Sequence, residues 1–84
     1  MNPSDAIEQL NRAITLLNEP TLDKETLRTL TLGLFDQKHA RYFEEGLAHS
    51  DKGLIMHALI GTLGHYESEN EKTIHEKKLT ALKN

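Results

Sequence analysis

Cysteine is absent from the 84-residue sequence, so no disulfide staples the fold and no thiolate-based zinc site exists. That absence fits a reducing compartment. Proline is confined to Pro3 and Pro20, and no glycine follows Gly64, which leaves the C-terminal stretch without any residue that interrupts a helix. Positive charge is in short supply: ten Lys and Arg stand against thirteen Asp and Glu, for a net charge of −3. A surface that neutralises several phosphates needs the opposite balance, so nucleic acid is disfavoured as the main partner. Apolar runs near the N-terminus stop at pairs such as Leu16-Leu17, too short for a signal-peptide core, and no window reaches the length of a membrane span. The expectation is a soluble, cytoplasmic protein with no membrane partner.

What remains is helical patterning in a single small domain covering residues 1–84. A chain of this size buries only about 60% of the surface its unfolded form exposes. Tight helix packing or a partner chain must then supplement the core. Ser4 reads as a helix cap with Asp5 in the first turn, and Ile7, Leu10, Ile14 and Leu17 recur at helical spacing. Pro20 ends that helix near Asn18-Glu19. Asp23 caps a second helix carrying Leu27, Leu30, Leu34 and Phe35, with Leu22 and Leu27 placed as a hydrophobic staple. Leu32 falls off the stripe, and Gly33 weakens a helix by roughly 1 kcal/mol relative to Ala. Asp36 either caps a new helix or lies inside a long one, so residues 24–49 form one helix or two. Tyr42 and Phe43 are adjacent and cannot share a stripe, which sends one to the core and the other to its edge. Ala48 to Asp51 reads as a turn, with Ser50 or Asp51 capping the next helix.

The densest apolar run is Leu54-Ile55-Met56 followed by Ala58, Leu59, Ile60 and Leu63. At 100° per residue Ile55, Met56, Leu59, Ile60 and Leu63 spread over nearly half the helix circumference, so this central helix contacts neighbours on two sides. Gly53, His57, Gly61 and Gly64 form a line along one edge of that arc, where small residues let another backbone come close. Beyond Tyr66 the sequence turns to Glu and Lys, with only Ile74, Leu79, Ala81 and Leu82 as apolar points. Residues 66–84 therefore read as a charged helical tail, frayed or packed on a second chain. The fold expected is all-α: a compact bundle of three or four helices whose last helix is long and extends towards the C-terminus.

Histidine is abundant, with five in the chain. Neither His-Glu-x-x-His nor Glu-x-x-His occurs. Asp36-x-x-His39, Glu45-x-x-x-His49 and Glu71-x-x-x-His75 each place a carboxylate and an imidazole on one helix face, which favours surface pairs and caps over a metal. His57 fits a helix contact, and His49 fits a helix C-terminus. No nucleophile elbow, phosphate loop or cysteine nucleophile is present, so no catalytic residue, metal or cofactor is expected.

The function expected is protein–protein interaction or regulation through a helical surface, as a homodimer and also towards another protein. Its interface residues would be Met56, Leu59, Ile60 and Leu63, with Gly61 and Gly64 permitting close approach and Tyr42 at the rim. Two alternatives stand beside it. One is a helix-turn-helix DNA regulator reading through Gln37, Lys38, His39 and Arg41, against which Glu44, Glu45 and Asp51 count. The other is an acidic inhibitor protein of the kind mobile elements encode.

Overall fold

A computed structural model describes residues 2–83, with side chains as far as Leu79. The tail's apolar points Ala81 and Leu82 lie outside the described side chains. The described residues form four helices, α1 (Pro3–Leu17), α2 (Lys24–Thr31), α3 (Gln37–Ala48) and α4 (Lys52–Lys83), in an all-α bundle.

Each helix start has a side-chain acceptor for an otherwise unpaired backbone N–H. Asn2, not Ser4, caps α1: its Oδ1 accepts from Asp5 N at 3.0 Å. Pro3 takes the first helical position, where a missing N–H costs nothing. Asp23 accepts from both the backbone N–H and the hydroxyl of Thr26. Asp36 accepts from His39 N at 2.8 Å, and Asp51 from Leu54 N at 3.1 Å.

The segment 24–49 is two helices. Leu32 (φ −56°, ψ 123°) and Gly33 (φ 76°) take the dihedrals of a type II turn, closed by Leu34 N donating to Thr31 O at 3.0 Å. A left-handed residue cannot continue an α-helix, so Gly33 ends α2 rather than weakening its interior. Ser50 (φ 51°) ends α3 in a Schellman arrangement, with Asp51 N donating to Gly46 O and Ser50 N to Leu47 O.

α4 lies against both α1 and α3, and α1 also packs on α2. Lys52 Nζ donates to Glu19 O at 2.9 Å, so the start of α4 meets the end of α1 and the two helices run antiparallel. Further along, Tyr66 donates its hydroxyl proton to Leu34 O at 2.9 Å, which pins α4 to the α2–α3 link. Leu10, Leu27, Leu47, Ile55 and Leu59 are the largest fully buried side chains.

On α1 Leu10 and Leu17 are buried as the spacing predicts, joined by Ala6 and Ala13, while Ile7 and Ile14 are half-buried at the flank of the stripe. With Ala58 these alanines form the small-residue part of the core, and a Cβ-only surface lets helix axes approach closely. Thr62 is buried, and its Oγ1 has no hydrogen-bond partner among the described residues.

Candidate interaction surface

The broad apolar arc of α4 meets two neighbours inside its own chain. α1 covers one side and α3 the other, so the two-sided contact expected from the width of the arc is made within the chain and its second side does not require a second copy. Leu59 is fully buried in this core and has no surface to offer a partner. Met56 and Leu63 are half-buried at the core's edge. Ile60, the last large member of the arc, is 55% exposed.

The glycine line divides in the same way. A Cβ placed on Gly61 would lie 2.5 Å from His39 Nε2, so the space at Gly61 holds an imidazole from α3 and not another backbone. Gly64 faces open space, with no atom within 4 Å of such a Cβ. The close backbone approach occurs instead at Gly46 on α3, where a Cβ would sit 3.0 Å from Ile55 N and 2.6 Å from Ile55 Cγ1. The signal for it was a glycine one turn before a helix end, opposite the start of the most apolar helix.

Tyr42 and Phe43 separate as their adjacency demands. Phe43 is buried with its ring centroid 4.7 Å from that of Phe35. Tyr42 is half-buried at the α3–α4 edge, its ring 5.4 Å from His57 and 6.1 Å from His39. Lys38 Nζ stands 5.9 Å from the same ring. His57 itself is exposed, with its ring beside that of Tyr42.

Asp36 and His39 form the one carboxylate–imidazole pair of the three that closes among the described residues, at 2.9 Å. The His39 backbone N–H, and then its ring, hold the Asp36 carboxyl below its ordinary value. Among the described residues no cluster of three or more His, Cys, Asp or Glu is arranged to hold a metal ion. On the outer side of α3, Gln37, Lys38 and Arg41 are exposed, as are Glu44 and Glu45 one turn on. Arg28 of α2 pairs with Glu44, so that acidic group already has a cation.

Past Tyr66, α4 leaves the bundle. From Glu67 to Leu79 only Asn70 is partly buried, and Ile74 and Leu79 are 47% and 45% exposed. A shallow groove on this stretch is lined by Ser68, Glu71, Lys72, Ile74, His75 and Lys78. At 100° per residue Met56 and Ile74 fall on one line, Leu63 lies about 20° from it and Ile60 about 40° from it. Ile60 and Ile74, with the core-edge residues Met56 and Leu63, therefore form one seam that starts beside the bundle and reaches the tail at Ile74, whereas the exposed Leu79 lies about 140° from it. No described helix is long and apolar enough to cross a membrane. No family model, curated protein or solved structure matches the chain.

Proposed function

We propose that the chain is a protein–protein interaction module, cytoplasmic in setting, that works as a homodimer through the outer face of α4. The observation that carries the reading is the seam: Ile60 and Ile74 stay about half exposed on one side of a helix that outlasts its bundle. A helix whose apolar stripe continues beyond its intrachain partners gains by burying that stripe against another surface. Met56 and Leu63 at its edge and the open Gly64 complete the docking face, and Tyr42 at the α3–α4 edge forms its rim. The reading requires no catalytic group, metal or cofactor.

Sedimentation equilibrium of the intact chain tests it. Self-association is expected, and Ile74→Asp should weaken it without loss of helical signal, because that side chain is about half exposed and outside the core. A chain that remains monomeric at high concentration would end the reading.

A further inference from the structure

We infer that two copies of this chain pair their α4 tails antiparallel, with Ile74 at the centre and Glu71 of each copy beside Lys78 of the other. The inference rests on the interaction reading above and specifies its partner as a second copy. Charge is segregated along the tail: Glu67, Glu69 and Glu71 come first, and Lys72, Lys77 and Lys78 come after them. Glu76 is the exception in the second half, and it already has an interaction within the chain.

Parallel pairing would set Glu67 against Glu67, Glu71 against Glu71 and Lys78 against Lys78, and like charges face to face destabilise. Antiparallel pairing turns the same distribution into attraction. A two-fold axis between Ile74 and His75 places each Glu71 opposite Lys78 of the other copy, and symmetry makes the pair twice. Glu71 and Lys78 are seven residues apart, hence within about 20° on the helix, and both lie to one side of Ile74. All three line the tail groove. Neither charge has an ion-pair partner within the chain among the described residues. The Ile74 side chains meet near the axis, and the methylene stems of Lys78 and Glu71 extend the apolar contact.

A charge-swap cycle on the intact chain decides the matter. Glu71→Lys and Lys78→Glu should each weaken dimerisation by roughly tenfold, two exposed pairs being lost at once. The double variant Glu71→Lys, Lys78→Glu should restore it. A parallel dimer would give no such restoration. Because the chain has no native cysteine, Glu67→Cys carries a single spin label per copy. Antiparallel pairing sets the two labelled positions about 22 Å apart along the helix axis, whereas parallel pairing puts them side by side.

Weakening by both single variants, rescue by the double and the long label distance support the inference. A dimer with side-by-side labels, or one that responds to Ile74→Asp but not to the charge variants, overturns it and leaves the interaction module standing. A strictly monomeric chain removes both.

Discussion

A Cβ added to Gly46 would lie 2.6 Å from Ile55 Cγ1, 3.0 Å from Ile55 N and 3.3 Å from Asp51 O. Two of those atoms belong to backbone at the start of α4 and cannot rotate away. Gly46→Ala should therefore destabilise the chain by about 1–3 kcal/mol, even though alanine is worth up to about 1 kcal/mol more than glycine inside a helix. Gly64→Ala meets open space and should raise stability by up to about 1 kcal/mol. Thermal unfolding of the two variants side by side checks the pair, and a Gly46→Ala melting point at or above that of the parent would refute the close approach. The two glycines are the same letter in a helical pattern, so sequence could not rank them. What separates them is which neighbour lies opposite, a tertiary fact. Gly61 makes the point again, because its space is taken by His39 of α3. Gly61→Leu would consequently disturb the chain's own packing, and Gly64→Leu is the cleaner probe of a docking face.

The starts of α2 and α3 depend on ionised caps. Asp23 is held below the ordinary carboxylate value of 3.8 first by the Thr26 hydroxyl and then by the Thr26 N–H. Asp36 is lowered first by the His39 N–H and then by its ring. A carboxyl whose folded-state value is depressed contributes stability above its unfolded value, and that contribution is lost as pH falls through the folded value. Melting temperature should accordingly drop as pH is taken below about 4. Asp36→Asn, which keeps an acceptor at the cap, should flatten part of that drop and change little near neutrality. An unaltered acid profile in the variant would show that other carboxylates govern it.

The Asp23 cap was legible because aspartate before an apolar period has a local cause, whereas Asp36 was compatible with a cap and with the interior of one long helix. Ser4 misled because the competing cap, Asn2, stands before a proline that is itself a helix-starting residue. Half of the α1 stripe, Leu10 and Leu17, was legible from its spacing; the other half is Ala6 and Ala13 because close helix packing selects small residues over the larger Ile7 and Ile14. The break between α2 and α3 stayed open because Gly33 is compatible with a weakened helix and with a turn. Only its positive φ decides.

At the scale of the molecule, the extents are 53 × 23 × 18 Å, and a helix of 32 residues is about 48 Å long at 1.5 Å per residue. One helix therefore sets the long dimension, and the other three cover only part of it. The length of α4 was legible from the lack of breakers after Gly64. The filling of its two apolar sides by α1 and α3 was not, because periodicity shows how wide a stripe is and not which chain covers it. Amide exchange connects this shape to the proposed pairing. Amides around Ile55 to Thr62 lie in the core and should exchange only through global unfolding, whereas those from Glu67 to Leu79 sit on a helix with little to pack against and should open locally. If the tails pair, mass action stabilises the paired form as concentration rises. Protection from Glu67 to Leu79 should then increase with protein concentration while protection in the core changes far less. Tail protection independent of concentration would mean that the helix stands alone, and the exposed seam would then need a partner other than this chain.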